Sequence, residues 1–262
     1  MVNKLKIIPT ALLEKYVAEF DQSCIFDFKN LSDSSLSIET FSFYTSVSAV
    51  FSSKIEGEEI ELDSFIKHKR FGIDYKPDYT RKIDDLYETY LFAQHNELNP
   101  RNLSLAHSKI TKNILKKPQQ GKIRVSNMFV ITQNGRIEYV AATPDKVVSE
   151  TQKCYADLDI LLLQDLSFQE TFFYASMLHL VFLKIHPFDD GNGRMARLLE
   201  KWFLAQKLGK NAWFLQSERN YYQQHQTYYN NIRRLGLDYE ELDYDEALPF
   251  LKMLPDAINL NV

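Results

Sequence analysis

The sequence LKIHPFDDGNGRMARLLEKW, residues 183–202, interrupts a long apolar run with an unusual set of polar residues. An apolar helix is predicted to end near Ile185, because Pro187 does not continue a helix comfortably. Gly191 and Gly193 supply flexible backbone before helical periodicity restarts. The stretch therefore predicts a helix, a loop and a second helix, and a hydrophobic core alone requires none of its charged residues.

The start of the second helix is predicted to bind an anion. Backbone N–H groups of Gly191, Asn192 and Gly193 lie where a helix N-terminus leaves them without helical partners, and the helix dipole favours negative charge there. Arg194 and Arg197 are one turn apart on the same helical face, so both can reach one polyphosphate group. The pattern indicates a phosphate-bearing ligand.

Two further side chains in this stretch suit catalysis on such a ligand. His186 is a candidate general base, because an ordinary imidazole titrates near neutral pH. Asp190 is a candidate Mg²⁺ ligand, since that ion commonly takes one or two carboxylates together with phosphate oxygens and water. A base, a metal ligand and several anion-binding groups are what phosphoryl or nucleotidyl transfer requires, so the residues predict an enzyme of that class.

The rest of the chain predicts a mainly helical globular protein. It has 262 residues, of which 45% are hydrophobic and only eight are glycine, which is typical of a folded chain with one large core. Periodicity and capping signals predict helices at the following positions. They are Thr10–Phe20, Ile38–Ser53, Asp63–Arg70, Tyr79–Asn96, Leu103–Lys117, Glu150–Asp165, Phe168–Lys184, Gly193–Leu208, Glu218–Leu235 and Tyr244–Asn259.

Charge and composition argue against several other classes of protein. The net charge of −4 gives no basic footprint for nucleic acid, and no apolar run is long enough to cross a bilayer. Cys24 and Cys154 have neither the number nor the spacing of a disulfide framework or a zinc site. With no recognisable secretory leader, we expect a cytoplasmic protein that binds neither nucleic acid nor membrane.

One segment has the pattern of strands. The sequence FVITQNGRIEYVAATP, Phe129–Pro144, places Asn134 and Gly135 between two runs of β-branched and aromatic residues. Asn-Gly in this setting predicts a β-hairpin, because both turn residues adopt positive φ. From the residues alone, a structural hairpin and a binding flap are equally good interpretations.

The loop motif closely resembles the signature of the Fic family, His-x-Phe-x-Asp/Glu-Gly-Asn-Gly/Lys-Arg-x-x-Arg. Its positions are filled by His186, Phe188, Asp190, Gly191, Asn192, Gly193, Arg194 and Arg197. The resemblance implies an all-α, Fic-like helical domain with a β-hairpin flap, its core at about Leu86–Arg234, and an N-terminal helical extension. The expected organisation is an N-terminal helical region at 1–80, a catalytic core at 81–236 and a C-terminal helical extension at 237–262.

The resemblance implies a protein adenylyltransferase, which moves AMP from ATP to a Ser, Thr or Tyr hydroxyl of a target protein. The implied site consists of the base His186, the Mg²⁺ ligand Asp190, the phosphate cradle Gly191, Asn192 and Gly193, and the β- and γ-phosphate ligands Arg194 and Arg197. ATP and Mg²⁺ are the implied co-substrate and cofactor. The target would pair its main chain with the hairpin at residues 129–140, and a homodimer is among the expected assemblies because many relatives form one.

A second motif, SSKIEG at residues 52–57, resembles the Fic inhibitory motif Ser/Thr-x-x-x-Glu-Gly/Asn. Ser52, Glu56 and Gly57 fill it, and its place before the catalytic motif resembles class II of the family. The other interpretation is a helix end with Gly57 as its C-terminal cap and a solvated Glu56. The regulatory interpretation predicts that Glu56 pairs with Arg197 and removes a group needed for the γ-phosphate.

Three alternative functions stay open at this point. A Doc-like kinase shares the fold, but has Ala and Lys in the loop where this chain has Gly191 and Gly193. Removal of AMP from modified proteins is another, because Glu56 could position a water molecule. The third is an ATP-sensing interaction module without turnover, against which an intact His186 argues, since binding alone needs no base.

Overall fold

The computed structural model describes residues 4–131 and 137–261 and shows a mainly helical chain with a two-stranded antiparallel hairpin. The predicted all-α class with a hairpin flap is confirmed. The α-helices are α1 Leu13–Ala18, α2 Ser23–Asn30, α3 Phe43–Ile55, α4 Leu62–Phe71, α5 Pro77–Gln94, α6 Pro100–Ile110, α7 Val147–Leu163, α8 Phe168–Ile185, α9 Asn192–Leu208, α10 Ser217–Gln223, α11 His225–Arg234, α12 Leu248–Leu251 and α13 Met253–Asp256. Strands β1 Phe129–Ile131 and β2 Ile137–Val140 lie between α6 and α7.

Helices α8 and α9 form the centre of the molecule and pack against each other. Helix α8 begins with a capping box, in which the Ser167 hydroxyl accepts from the backbone N–H of Glu170 and the Glu170 carboxylate accepts from that of Ser167. Its residues from Thr171 to Ile185 are all buried, as expected for a helix that is apolar on every side. The loop between the two helices is thereby held on a rigid support.

One continuous hydrophobic core joins residues from the whole described chain, from Ile8 to Ile258. Residues 6–8 of the N-terminal segment are bonded to Asp157 on α7, which is fully buried. Its carboxylate accepts hydrogen bonds from the backbone N–H groups of Lys6, Ile7 and Ile8, at 2.7, 2.8 and 2.9 Å. This carboxylate replaces the backbone partners that the segment would have in a helix or sheet.

Replacing Asp157 with alanine is expected to lower the free energy of unfolding by about 2–4 kcal/mol, because three backbone donors lose a charged acceptor. Urea unfolding followed by circular dichroism measures the loss. Asp159→Ala is the matched control, since Asp159 is exposed on the same helix. Equal unfolding midpoints for the two variants would contradict a structural role for the buried carboxylate.

The structure differs from the sequence prediction in several elements. Helix α2 was not predicted, because its buried apolar residues, Cys24 and Phe28, form too short a pattern to stand out. The predicted helix at 218–235 is divided at Gln224 into α10 and α11. Pro249 and Pro255 help to divide the predicted final helix into short pieces, because proline supplies no backbone N–H.

The hairpin contains a β-bulge. Val130 pairs with Tyr139, and the next pair is Ile131 with Ile137, so Glu138 has no residue opposite it. As a result the adjacent side chains of Glu138 and Tyr139 are both buried, where a regular strand would alternate. The predicted Asn134-Gly135 turn lies outside the described residues.

Two other findings bear on the sequence expectations. Across residues 4–131 and 137–261, the helices lack the combination of length and apolar character that a bilayer span requires. Cys24 and Cys154 are both buried and unpaired with each other.

Candidate active site

The loop that follows α8 begins with a strained residue. His186 caps the helix in the left-handed region, with φ of 52°, which is uncommon for a residue with a side chain. The buried guanidinium of Arg124 stabilises this turn by donating to the carbonyls of His186 at 2.7 Å and Ile185 at 3.2 Å. The backbone N–H of Arg124 also donates to the carbonyl of Pro187 at 2.9 Å. The strain is therefore supported by interactions that fix where the imidazole lies.

The imidazole of His186 is neutral at physiological pH. Burial and the positive charge of Arg124 lower its pKa to about 4. The Tyr139 hydroxyl lies 3.0 Å from Nδ1 of the ring. A neutral imidazole has a free lone pair, so this side chain is able to accept a proton.

The side chains of Asn192 and His107 hold the middle of the loop in place. Both ends of the Asn192 side-chain amide bond to the backbone of Phe188, with Oδ1 accepting from its N–H at 2.9 Å and Nδ2 donating to its carbonyl at 2.8 Å. The Phe188 ring stacks on His107, with centroids 3.6 Å apart. Nε2 of His107 donates to the carbonyl of Asp190 at 2.9 Å. The side chain of Asn192 thus shapes the loop, and its backbone N–H is the group at the helix start.

The predicted anion cradle lies at the N-terminus of α9. Asn192 and Gly193 are the first residues of this helix, so their N–H groups have no partner one turn earlier. The N–H of Gly191 instead donates to the Asp190 carboxylate at 2.5 Å. A Cβ added at Gly193 would collide with Oε1 of Glu56. The carboxylate of Glu56 therefore lies directly against the start of α9, where a phosphate is predicted to bind.

Glu56 is paired with Arg197 as the inhibitory motif predicts. Nη2 of Arg197 donates to Oε1 of Glu56 at 2.6 Å and to the carbonyl of Ser52 at 3.0 Å, and Nε donates to the Ser52 hydroxyl at 2.9 Å. The Arg197 side chain is only 1% exposed, whereas the Glu56 side chain is 27% exposed. Gly57, with φ of 88°, turns the chain after α3. Ser52 and Glu56 together bind the guanidinium from one helix end.

The charge of Glu56 is stabilised in this position. Burial acts to raise the pKa of its carboxyl, but the guanidinium groups of Arg197 and Arg194 outweigh burial and hold that pKa below its ordinary value. The pKa of Arg197 is raised correspondingly, because Glu56 outweighs the effect of burial. The pair is ionised on both sides at neutral pH.

Arg194 is also paired with a glutamate. Its Nη2 lies 3.4 Å from Oε1 of Glu58, and the same oxygen accepts from Nζ of Lys82 at 2.7 Å. The sequence motifs did not identify Glu58, which lies two residues after Glu56. Both arginines expected to bind phosphate are thus in contact with carboxylates of one short segment.

A cavity of about 830 Å³ opens beside Glu56. Its walls come from the end of α3, from Val130 and Ile131 of the hairpin, and from Tyr222 and Tyr229 of α10 and α11. Arg233 on α11 forms an ion pair with Glu138, and both residues line the cavity. Its size and mixed lining suit a nucleotide-sized ligand.

Asp190 is the carboxylate of this loop that was predicted to hold a metal ion. Among the described residues, no group of three or more His, Cys, Asp or Glu side chains is arranged to bind a metal. Asp190 is exposed at the loop, one residue before the helix cap. One accessible carboxylate next to a phosphate site fits Mg²⁺, which takes its other ligands from phosphate and water, and fits poorly an ion that needs several protein ligands.

The structure brings the residues predicted from both motifs around one site. His186, Asp190 and the cradle lie on the α8–α9 loop, Arg194 and Arg197 on the first turns of α9, and Ser52, Glu56 and Gly57 at the end of α3. Sequence reasoning missed four contributors, which act across long sequence separations. They are Arg124, which supports the loop, Tyr139, which contacts His186, Glu58, which contacts Arg194, and Tyr228, whose hydroxyl lies 3.4 Å from Nη1 of Arg197.

Comparison with known proteins gives a family match over part of the chain and a shared fold over most of it. A family model described as Fic/DOC family matches residues 97–204. A Fic family protein from Desulfovibrio desulfuricans shares the fold with a TM-score of 0.74 and 21% identity, over 96% of this chain and 74% of that chain. A Fic domain containing signaling protein from Bacteroides thetaiotaomicron shares it with a TM-score of 0.63 and 17% identity, over 95% of this chain and 93% of that chain. Fic-1 from C. elegans shares the fold with a TM-score of 0.58 and 17% identity, over 96% of this chain and 72% of that chain. The comparison with curated proteins returned no match. Residues 97–204 therefore form a Fic/DOC family domain, and members of this family commonly transfer AMP or other nucleotide groups to proteins.

Proposed function

We propose that this chain is a protein adenylyltransferase, which moves AMP from ATP to a hydroxyl group of a target protein. The observation that carries the proposal is that a neutral histidine lies beside an anion site formed by the start of α9 and Arg197. Glu56, which occupies that site, is close enough to His186 for its charge to raise the pKa of the imidazole. A base beside a phosphate site suits transfer from a nucleotide to a hydroxyl group.

In the proposed reaction, the target hydroxyl oxygen forms a bond to the α-phosphorus of ATP while its proton passes to the imidazole of His186. The bond between the α-phosphorus and the oxygen that bridges to the β-phosphate breaks, and its electron pair leaves with pyrophosphate. Arg194, Arg197 and the N–H groups at the start of α9 would hold the β- and γ-phosphates. Asp190 would hold Mg²⁺, which when bound neutralises phosphate charge.

The hairpin is proposed to align the target. Phe129, Ile131 and Ile137 are exposed on it, and strand β1 pairs only with β2 in the described sheet. An extended target segment can add its main chain to such an edge, and apolar side chains beside the edge can contact the target. The described residues of the 129–140 segment thus support a docking surface next to the base.

Glu56 is proposed to keep this enzyme inhibited at rest. Its carboxylate is in contact with Gly193 and bound to Arg197, so a triphosphate in the productive position would meet a negative charge and lose an arginine ligand. ATP would then bind with its phosphates displaced from the geometry of transfer. Basal activity is expected to be weak.

Intact mass measurement tests the proposed reaction. Purified Glu56→Gly protein is incubated with ATP and Mg²⁺, alongside a version that also carries His186→Ala. A gain of one AMP group that requires His186 is the expected result. ATP labelled at either the α- or the γ-phosphate gives a second test, since retention of the γ-label with a phosphate-sized gain would establish the kinase alternative.

Removal of AMP from a modified protein is a second candidate function. The observation that favours it is the carboxylate of Glu56 beside the phosphate site and close to His186, where it could orient a water molecule. Its dependence on Glu56 is opposite to that of transfer. If removal is the main activity, wild-type protein should release AMP from a modified target and Glu56→Gly should not.

The pH dependence of transfer follows from the environment of His186. The neutral ring is the active base, and its pKa is lowered to about 4, so kcat/KM of the Glu56→Gly protein is expected to stay constant down to about pH 5. The negative charge of Glu56 raises the pKa of His186, so its removal lowers that pKa further and moves the acid limb of the profile to lower pH. Initial rates across pH 5–8, with folding checked by circular dichroism, measure this profile. A midpoint near 6.5 would show an ordinary, solvated histidine.

A further inference from the structure

The β-bulge at Glu138 turns Tyr139 toward the catalytic loop. Tyr139 is 2% exposed, and its ring contacts His186 edge-on, with centroids 5.9 Å apart. Its hydroxyl donates to the carbonyl of Leu183 at 2.9 Å and lies 3.0 Å from Nδ1 of His186. A side chain of the flap is therefore bonded to the general base proposed above.

The carbonyl of Leu183 is available to this hydroxyl for a reason visible in the sequence. In a continuing helix it would accept from the backbone N–H four residues later, but that residue is Pro187, which has no N–H. The Tyr139 hydroxyl takes the place of the missing donor. Pro187 thus determines where the tyrosine hydrogen points.

The hydrogen-bond donors available here determine which nitrogen of the His186 ring carries the hydrogen. A tyrosine hydroxyl has one hydrogen, and a carbonyl oxygen can only accept, so that hydrogen lies between Tyr139 and Leu183. The remaining contact, between the hydroxyl oxygen and Nδ1 of His186, then requires the hydrogen on Nδ1. A neutral ring has one N–H, so Nε2 carries the free lone pair.

We propose that Tyr139 is a positioning residue, which holds His186 in the Nδ1–H tautomer and directs the basic Nε2 atom toward the target hydroxyl. This inference rests on the proposed function for the role of Nε2. It also gives the flap a second task, because the strand that would help to dock the target holds the base as well.

Surrounding charges support this arrangement. Burial raises the pKa of Tyr139 well above its ordinary value, so the phenol keeps its hydrogen across the working range of pH. Nζ of Lys184 lies 4.6 Å from the centre of the tyrosine ring, which is a cation–π contact when the amine is protonated; burial lowers the pKa of that amine to about 7. Arg124 independently fixes the backbone of His186.

Tyr139→Phe in the Glu56→Gly protein tests the inference kinetically. We expect kcat for AMP transfer to fall roughly 10- to 100-fold while KM for ATP stays unchanged, as for other groups that orient a functional histidine. The control is Tyr16→Phe, because the Tyr16 hydroxyl is also buried but has no hydrogen-bond partner in the described structure. An unchanged kcat, or a loss confined to KM, would overturn the positioning role.

Nitrogen NMR of histidine-labelled protein tests the tautomer without any activity. The chain has six histidines, and His186→Ala identifies the signals of His186. The Glu56→Gly protein, which is the parent of the tyrosine variant, is expected to have His186 in the Nδ1–H form, and Tyr139→Phe is expected to lose that preference. An Nε2–H form in the parent would overturn the inference. Absence of AMP transfer by the parent would contradict the proposed function, and the tautomer measurement would still decide the role of Tyr139.

Discussion

Replacing Glu56 with glycine is expected to raise the rate of AMP transfer about 100-fold, which corresponds to removing an obstructing charge-assisted interaction of about 2–3 kcal/mol. The substitution removes the carboxylate that contacts Gly193 and binds Arg197 at 2.6 Å. Ser52 still holds the guanidinium through its hydroxyl and carbonyl. Arg197 therefore stays in place and becomes available to a phosphate.

Labelled ATP and denaturing gels measure this change as an initial rate of incorporation. Glu59→Gly is the matched control, since Glu59 is exposed in the same connection between α3 and α4 and loses a carboxylate in the same way. Equal rates for wild type, Glu56→Gly and Glu59→Gly would contradict autoinhibition by Glu56. A rise in both variants would instead indicate that loosening the connection, and not removing the ion pair, releases activity.

His186→Ala is expected to lower transfer by the Glu56→Gly protein about 10²- to 10⁴-fold, which is the usual contribution of a positioned general base. The affinity for ATP should change little, because the proposed phosphate ligands lie on the start of α9 and not on the histidine. Single-turnover rates give the first quantity, and isothermal titration of Mg²⁺-ATP gives the second. This pairing separates loss of chemistry from loss of binding.

His95→Ala is a suitable control for that experiment, because His95 is exposed and its Nδ1 bonds to the carbonyl of Leu91 in its own helix. Transfer that persists in His186→Ala would exclude the histidine as the base. If wild type, Glu56→Gly and His186→Ala all bind ATP equally and none transfers a group, the ATP-sensing module becomes the better description.

The sequence predicted the centre of the fold well because the information there is local. Apolar periodicity predicted α8 and α9 nearly to their ends, and the motif at their junction, from His186 to Arg197, lies within twelve positions. The pairing of Glu56 with Arg197 was predicted only through a resemblance, since 141 residues separate them. Spacing along the chain could not have supplied that contact.

The parts that sequence analysis missed depend on three-dimensional neighbours. Tyr139 lies 47 residues from His186, and Arg124 lies 62 residues from it, so no local pattern marks either as part of the site. The β-bulge that turns Tyr139 inward is a property of strand register, which residue type alone did not reveal. A proline that removes a donor from the end of α8 was recognisable, but the tyrosine that replaces the donor was not.

The two glutamates after α3 have a consequence for how inhibition would end. Glu56 contacts Arg197 and Glu58 contacts Arg194, and only Gly57, with its positive φ, separates them. A three-residue backbone segment cannot withdraw one carboxylate far without moving the other. Under the proposed autoinhibition, release by movement of the backbone would therefore be a concerted step, and the balance between the resting and active forms would depend on the conformation of that short turn.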